Sequence, residues 1–554
     1  MKFINRPDSY WIKHGLLLLL TAVATVSLYW PFLDNGIVFD DHLLFTNLSI
    51  YDHAIKPFSL APRIFPYFTL GIVQVLTGSI EANRVVSLAL HLLNTLLIFR
   101  LLERWSRDIG QIPAPRALLL AFLGSVFFAI HPVAVYGAGY LAQRTILFAT
   151  LFSLLTLWFY WRSLVRNSIA DAIAAALFYT LAIYSKEHAI MLPLAAVMLN
   201  VLHPTTWRQN IAKTTVFVSL CLPPAILVFM AVKGVIGTAY ENDAASFISN
   251  ITAADTPAAQ WLVSAVTQTG LFFQYIKIWL IPDTGGMAAD IRIDFNSGWN
   301  AAWIVTRITA YFAFAAGGVV LLRCGGKSGL IGWGMLYFWL LFATELVSIR
   351  FQEPFILYRS YLWAPGIILA LFTLLNALNA RALVIGAVLV APILFISAQD
   401  RLRSLRDDFS LWNDAAEKLT SISIPGSDRI YYNRGAQYLQ KKQYREAIAD
   451  LGNSIQRNPG IFQSYQQRGL AYSAIGDYPH ALADFDRAIA LDHNQGLSHY
   501  GRATALGKLG YTEEMLQELR ISRDLGYLIA DFTLKNYMKT GKTTTGNGKP
   551  QADN

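Results

Sequence analysis

Two adjacent carboxylates stand directly after the first long apolar segment of the chain. They are Asp40 and Asp41, in the sequence Phe39-Asp-Asp-His42. Neighbouring carboxylates at a membrane edge repel each other, and they are suited to general-base catalysis or to holding a divalent cation such as Mg²⁺ or Mn²⁺. The structural alternative is a polar cap on a helix end. No residue is assigned as a metal ligand.

Three cationic side chains stand where other apolar segments begin or end. They are Arg144, Lys186 and Arg359. An arginine at the membrane edge is costly and usually has an anionic partner. The alternatives are a snorkelling side chain for Arg144, a local pair with Glu187 for Lys186, and an aromatic interfacial belt around Arg359.

Together, a carboxylate and several cations predict group transfer from an anionic carrier. Arginine and lysine stabilise a phosphate leaving group, which needs no general acid because its own pKa is low. The attacking hydroxyl does need a base, which one aspartate supplies. A single base favours inversion, since a retaining double displacement would also need a nucleophile.

The composition divides the chain into two regions. The whole chain is 54% hydrophobic and 15% charged, but 44 charged residues fall in residues 1–400 and 37 in residues 401–554. The first region is therefore too apolar for water, and the second has the composition of a soluble domain. The net charge of +9 is assigned to membrane topology and not to nucleic-acid binding.

Residues 1–400 are predicted to form a polytopic helix bundle with the N-terminus in the cytoplasm. A span needs about 20 apolar helical residues, and eleven are predicted at about 15–33, 83–102, 116–131, 144–162, 169–185, 188–203, 213–234, 301–322, 328–348, 361–379 and 382–399. Residues 236–300 form a long outer loop in which 261–281 is interpreted as interfacial. The acidic pair and the three cations then share the outer face.

Residues 401–539 are predicted to form an α-solenoid, because small and aromatic residues recur at an interval of 34. Gly435 and Tyr438 recur as Gly469 and Tyr472. This is the tetratricopeptide pattern, in which paired helices cross at small residues. The groove is predicted to bind an acceptor polypeptide through four residues, Tyr431, Arg434, Tyr465 and Arg468. Residues 540–554 are predicted to be a disordered tail.

The ordered set of motifs resembles a family of membrane glycosyltransferases. The segments are FDDHLLFTN (39–47), HP…QR (131–144), SKEHAIMLP (185–193), YRSYLWAPG (358–366) and LWNDAAEK (411–418). The first 400 residues resemble the GT-C superfamily, and the whole chain resembles the transmembrane and tetratricopeptide-repeat O-mannosyltransferases and their bacterial relatives. Tyr136 and Ile64 depart from the family pattern, so the resemblance does not carry over the identity of the sugar.

The resemblance implies an inverting transferase that moves a sugar from a polyprenyl-phosphate donor to a Ser or Thr hydroxyl of a secreted or membrane protein such as a pilin. Asp41 is preferred to Asp40 as the base, and Arg359, Arg144 and Lys186 bind the donor phosphate. Five residues are assigned to orienting these groups: His131, Glu187, Tyr361, Arg63 and His91. His91 is also interpreted, with Asn94, as part of a buried hydrogen bond between helices.

The expected location is a bacterial inner membrane with the repeats in the periplasm. The expected partners are the lipid-linked sugar, the protein acceptor and the bilayer. Two alternatives remain open. One is a membrane-anchored repeat scaffold without catalysis, and the other is an oligosaccharyltransferase that uses a lipid-pyrophosphate glycan.

Overall fold

The computed structural model describes residues 7–46, 49–55, 61–204, 207–235, 256–293, 301–351, 353–419 and 424–540. These residues are almost entirely helical and contain no β-strand, so the predicted all-α class is confirmed. Asn47, residues 236–255 and 294–300 of the predicted outer loop, and all but the first residue of the predicted tail 540–554 lie outside the described residues.

The chain divides into two compact units, Met1–Leu411 and Trp412–Asn554. The predicted domain boundary at residue 400 therefore lies inside the last helix of the first unit, Ala380–Ser404, and eleven residues before the observed division.

The first unit is built mainly from apolar helices. Its α-helices are α1 Pro7–Tyr29, α2 Asp41–Phe45, α3 Ser49–Ala54, α4 Ile64–Thr77, α5 Ile80–Asp108, α6 Ala114–Ala129, α7 Pro132–Ala138, α8 Arg144–Arg166, α9 Ile169–Ser185, α10 Leu192–Val197, α11 Leu199–Leu202, α12 Trp207–Val232, α13 Pro257–Leu280, α14 Ala301–Cys324, α15 Gly326–Phe342, α16 Ser360–Leu375 and α17 Ala380–Ser404.

Eight of the described helical segments are long and apolar enough to cross a membrane. They are Ile12–Phe32, Ile80–Asp108, Leu141–Arg166, Arg208–Val232, Ala302–Cys324, Gly326–Leu346, Leu357–Leu375 and Ala380–Ser404. The pair α6 and α7 adds a ninth if it forms one span bent by 64°. The bend falls at Pro132, which lacks the N–H that a continuous helix requires. The chain is a multi-pass membrane protein.

The sequence predicts eleven spans, whereas eight or nine helical segments are long and apolar enough to cross a membrane. The two remaining predicted spans, 169–185 and 188–203, coincide with the shorter apolar helices Ile169–Ser185 and Glu187–Leu202. The second of these is divided into a 3₁₀ turn, α10 and α11. Hydropathy counts apolar residues, and it does not detect these breaks in the helix.

Helix α13 contains most of the predicted interfacial segment and bonds to the segment that leads into α16. Side chains along it bond to the turn before α16: Ser264 accepts from the N–H of Arg350 at 2.9 Å, Gln268 donates to the carbonyl of Pro354 at 2.8 Å, and Trp279 donates to Ser360 at 3.0 Å. The helix therefore supports that turn along its length.

The second unit consists of helix pairs that recur every 34 residues. Its helices are α18 Asp408–Glu417, which begins in the first unit, then α19 Ser427–Gln440, α20 Tyr444–Arg457, α21 Phe462–Ile475, α22 Tyr478–Leu491, α23 Gly496–Leu509, α24 Thr512–Asp524 and α25 Leu528–Thr540. A Cβ on Gly435 would lie 2.9 Å from Leu451, and one on Gly469 would lie 3.0 Å from Phe485. The recurring glycines thus permit the close helix crossings, and the predicted solenoid is confirmed.

Candidate active site

Asp41 is held inside the protein by the backbone. Its side chain is fully buried, and its carboxylate oxygens accept hydrogen bonds from the N–H of Ala142 at 2.7 Å and of Val38 at 3.4 Å. Asp40 is the N-cap residue of α2 but makes no side-chain capping bond. Helix capping therefore does not explain the acidic pair.

The environment of Asp41 favours its neutral form. Burial raises the pKa of the Asp41 carboxyl to about 7, and the adjacent Asp40 also raises it, whereas Arg84 and the two backbone N–H groups oppose the shift. A carboxyl with this pKa could act as a base near neutral pH. Its burial argues against that role in this conformation, because neither oxygen reaches solvent.

Asp40 faces the other charged residues of this end of the bundle. It is partly exposed, and its backbone N–H donates to the hydroxyl of Tyr140 at 2.8 Å. The Tyr140 ring lies 6.4 Å from the ring of Tyr358, and Asp40 is near enough to act electrostatically on Tyr358 and on Lys186. Asp40 is thus the aspartate that acts electrostatically on Lys186, whereas Asp41 acts on Arg144.

Lys186 follows the last residue of α9 and is almost completely buried, with 4% of its surface exposed. Its ammonium nitrogen lies 5.5 Å from the centroid of the Tyr358 ring. Burial lowers the pKa of Lys186 to about 7; Arg63 and Arg359 lower it further, whereas Glu187 and Asp40 raise it. Within the described part of the chain, no hydrogen bond to this ammonium is found, so its donors can serve a ligand.

Glu345 is a buried carboxylate on which three other side chains converge. Arg359 donates to its Oε2 at 2.5 Å, the Nε of Arg350 lies 3.0 Å from the same oxygen, and Nε2 of His188 lies 3.1 Å from Oε1. Arg359, a predicted phosphate ligand, is therefore paired inside the protein. Its Nε is buried without a hydrogen bond to any described residue.

Glu345 and Arg350 are not among the predicted site residues. Glu345 lies inside the predicted span 328–348, and Arg350 lies just after it. An acidic residue at the end of an apolar segment, Ala343-Thr-Glu-Leu346, was the signal available. Intramembrane or edge carboxylates are expensive and imply a cationic partner. The partner could not be named, because His188 is 157 positions away in the chain.

Arg63 and Glu187 join the first outer loop to the turn after α9. The guanidinium of Arg63 donates to both carboxylate oxygens of Glu187, and the Nε bond is 3.1 Å long. Arg63 has a left-handed backbone with φ of 69°, and its N–H donates to the carbonyl of Tyr184 at 2.7 Å. Non-glycine residues rarely adopt this conformation unless surrounding contacts impose it.

Arg144 lies away from this group. Its side chain is fully buried and donates to the carbonyl of Asn83 at 2.5 Å and to the hydroxyls of Ser87 at 3.2 Å and Thr69 at 3.4 Å. These bonds tie the start of α8 to α5 and α4. Arg144 therefore connects helices inside the bundle. Its side chain is not exposed, whereas the snorkelling alternative would require exposure.

The remaining predicted orienting residues lie deeper in the bundle. His91 makes hydrogen bonds to the Tyr361 hydroxyl at 2.7 Å and to the Ala129 carbonyl at 3.0 Å, and Asn94 also donates to Tyr361 at 3.3 Å. His131 stacks on Trp279 with ring centroids 4.4 Å apart. The interpretation of His91 and Asn94 as a buried helix–helix contact agrees with these bonds.

A cavity of about 420 Å³ opens beside the charged cluster. Its charged wall is formed by Arg63, Glu187, His188 and Arg350, and its apolar wall includes Met191, Phe229, Val232 and Val347. Phe229 lies on α12, whose outer surface carries exposed apolar side chains. The cavity therefore joins a polar site to the lipid-facing side of the bundle.

The described residues contain no group of three or more His, Cys, Asp or Glu side chains arranged to hold a metal ion. The carboxylate of Asp41 is fully buried against the N–H groups of Ala142 and Val38, so among the described residues it does not share an open site with Asp40. The residues present do not fit the divalent cation considered from the sequence.

In the repeat unit, the residues predicted to bind an acceptor are engaged within their own repeats. Arg434 donates to both oxygens of Asp450, at 2.6 and 2.9 Å, and Arg468 does the same to Asp484, at 2.8 Å for each bond. Tyr431 and Tyr465 are buried beside these arginines. These contacts join the two helices of each repeat.

Comparison with known proteins identifies the repeats. The tetratricopeptide repeat family matches residues 428–460 and 462–495, in agreement with the predicted repeat pattern. The repeat region is also similar to the solved structure "MamA MSR-1 C2", with 23% identity and a TM-score of 0.19 over 28% of this chain and 85% of that one. The chain has no significant match among curated proteins.

Two solved structures are similar over the larger part of the chain. One is the Archaeoglobus fulgidus oligosaccharyltransferase in the apo form, with 15% identity, a TM-score of 0.40, and coverage of 78% of this chain and 60% of that one. The other is the oligosaccharyltransferase AglB from the same organism, in complex with an inhibitory peptide and a dolichol-phosphate, with 15% identity, a TM-score of 0.36, and coverage of 79% and 59%. The chain thus spans about three fifths of their length.

Proposed function

We propose that this protein is a glycosyltransferase of GT-C type that takes a sugar from a polyprenyl-phosphate donor and passes it to a hydroxyl of a protein. The proposal rests on the cavity of about 420 Å³, which has a charged wall and an apolar wall. Its charged wall offers two arginines for a phosphate, and its apolar wall on α12 suits the first units of a lipid chain that enters from the bilayer.

The donor phosphate binds at the charged end of the cavity. Arg63 and Arg350 line it, and the ammonium of Lys186 adds donors that no described residue uses. Glu187 and Glu345 hold the guanidinium groups in place. Arg144 takes no part in this binding, because its donors are used by α5 and α4.

Asp40 is the base of the proposed reaction. Its carboxylate removes the proton of the acceptor hydroxyl as the oxygen forms a bond to the anomeric carbon. The bond between that carbon and the phosphate oxygen breaks, and its electron pair leaves with the lipid phosphate, where Lys186 and the arginines stabilise the charge. A single displacement of this kind inverts the anomeric configuration. Asp41 positions the loop that carries Asp40.

The repeat unit is proposed to bind the acceptor protein, since tetratricopeptide solenoids present extended surfaces for polypeptides. The last helix of the first unit ends near the acidic pair: the N–H of Gly36 donates to the carbonyl of Arg406 at 2.8 Å. The chain therefore leaves the bundle at the same end as the site. We place this end outside a bacterial inner membrane, and the repeats in the periplasm.

The test is intact-mass analysis of secreted and membrane proteins from cells that carry the wild-type chain, a deletion, Asp40→Asn or Asp52→Asn. Asp52 is an exposed carboxylate in the same outer region and serves as the matched control. We expect a mass of one sugar to disappear in the deletion and in Asp40→Asn but to persist in Asp52→Asn.

Other outcomes separate the alternatives. Loss in the deletion alone favours a scaffold that recruits another enzyme. A lost mass of several sugars favours a lipid-pyrophosphate oligosaccharide as donor. No change on any protein overturns protein glycosylation.

A further inference from the structure

The loop that carries the acidic pair is bound along its length to the segment that follows the last span. Four hydrogen bonds join them: Asn35 to the carbonyl of Leu402 at 2.9 Å, Gly36 to the carbonyl of Arg406 at 2.8 Å, the N–H of Phe39 to Oδ1 of Asp408 at 3.2 Å, and Nε2 of His42 to Oδ2 of Asp408 at 2.6 Å. Residues more than 360 positions apart thus form one wall.

Asp408 contacts the loop on both sides of the acidic pair. One oxygen accepts from the residue before Asp40 and the other from the residue after Asp41. Phe39 has a left-handed backbone with φ of 53°, which a bulky residue adopts only when its surroundings impose it. The bond from its N–H to Asp408 is one such constraint.

The carboxylate of Asp408 is not the group that caps its own helix. Asp408 is the first residue of α18, but it is the neighbouring Asp407 that accepts the N–H of Ser410 at 2.7 Å. The two carboxylates therefore have different tasks. Asp407 caps the N-terminus of α18, and Asp408 reaches across to the loop.

We propose that Asp408 is a positioning residue for the transfer reaction: by binding Phe39 and His42 it fixes the conformation in which Asp40 faces the donor site. This inference rests on the proposed function. Asp408 lies on α18, the helix in which the first unit ends.

The first measurement does not depend on enzyme activity. Hydrogen–deuterium exchange of the full-length protein in nanodiscs compares the wild type with Asp408→Ala, Asp408→Asn and Asp407→Ser. We expect peptides covering residues 36–42 to exchange about tenfold faster in Asp408→Ala. Asp408→Asn should exchange more slowly than Asp408→Ala, since the amide oxygen still accepts the N–H of Phe39. Asp407→Ser keeps a capping residue and should match the wild type.

The second measurement is kinetic. We expect Asp408→Ala to lower kcat roughly 10- to 100-fold while the KM for the donor stays within about twofold, because the cavity is not touched. Partial recovery of kcat in Asp408→Asn distinguishes positioning from a general loss of folding. Unchanged exchange of residues 36–42 in Asp408→Ala overturns the inference. If the wild type transfers no sugar but exchange still rises in Asp408→Ala, the proposed function fails and the structural link remains.

Discussion

The ammonium of Lys186 lies 5.5 Å from the centroid of the Tyr358 ring, on the side of the bundle where Asp40 is also found. A cation held against an aromatic face keeps its hydrogen-bond donors available. Arg359, the residue after Tyr358, in contrast donates a hydrogen bond to Glu345. Among the three cations predicted to bind phosphate, Lys186 is therefore the one best prepared to receive a ligand.

The donor affinity should depend on pH through Lys186. Burial, followed by Arg63 and Arg359, lowers the pKa of this ammonium to about 7, so it is charged at about pH 6 and largely neutral at about pH 8. We expect the Kd for a short-chain polyprenyl-phosphate sugar to rise roughly tenfold over that interval. The phosphodiester itself does not titrate there. In Lys186→Arg the side chain stays charged, and an equally steep pH dependence in that variant would contradict the prediction.

Asp41 should make the stability of the protein fall as pH rises. Its folded pKa is about 7 against an ordinary value of 3.8, so the folded state binds this proton more tightly than the unfolded state. The stabilisation is complete below about pH 4 and is lost as pH rises through about 7, on the order of 4 kcal/mol at most. Asp41→Asn has no charge to bury.

We therefore expect the Tm of Asp41→Asn, relative to wild type, to be higher at about pH 8 than at about pH 5. Thermal unfolding in detergent at both pH values measures this difference. Asp52→Asn, at an exposed position, should show the same difference from wild type at both. A pH-independent Tm difference for Asp41→Asn would show that Asp41 is ionised throughout this range.

Removing the charge of Glu345 should destabilise the first unit strongly. Glu345→Gln leaves Arg359 and Arg350 buried without their shared carboxylate, a change that typically costs about 3–5 kcal/mol. Thermal unfolding in detergent measures it, with Glu81→Gln as an exposed control. The double variant with Arg350→Met should recover part of the loss, and an additive loss would refute the ion-pair explanation.

Filling the apolar wall of the cavity should weaken donor binding without changing the chemistry. Val232→Trp places a large ring in the cavity, and we expect the KM for the donor to rise about tenfold with kcat nearly unchanged. Leu222→Trp on the same helix lies on the exposed surface and should have no effect. If both variants behave alike, the cavity does not hold the lipid.

The arginines of the repeat unit should matter for stability. Arg468→Ala removes a two-bond contact to Asp484, and we expect it to destabilise the repeats by about 1–3 kcal/mol. Arg520→Ala, at an exposed position of α24, is the control. If Arg468→Ala unfolds like the wild type but binds the acceptor poorly, the result would instead support the prediction that Arg468 binds the acceptor.

Features that depend on nearby residues could be read from the sequence. The recurrence of Gly435 as Gly469 predicted the solenoid, because each repeat is a local unit with its own helix crossing. Apolar length predicted most spans, because the bilayer selects segments of a fixed length. The breaks in the helices near Pro132 and between α10 and α11 reduced the count of long spans.

The position of Asp40 relative to Asp41 could not be read in this way. The two are identical side chains in adjacent positions, yet Asp41 is fully buried and Asp40 is partly exposed. The contacts that hold this loop come from distant positions, namely Ala142 for Asp41 and Asp408 for Phe39. No local pattern contains this information.

The sequence by itself determined the helical class, the membrane region, the repeats and the end of the bundle where polar residues gather. Only the tertiary structure decided which charges pair: Glu345 with Arg359 and Arg350, and Arg144 with the backbone of α5. The physical reason is that hydropathy and repeat spacing are encoded along the chain, whereas a buried charge must find its partner wherever packing brings one within reach.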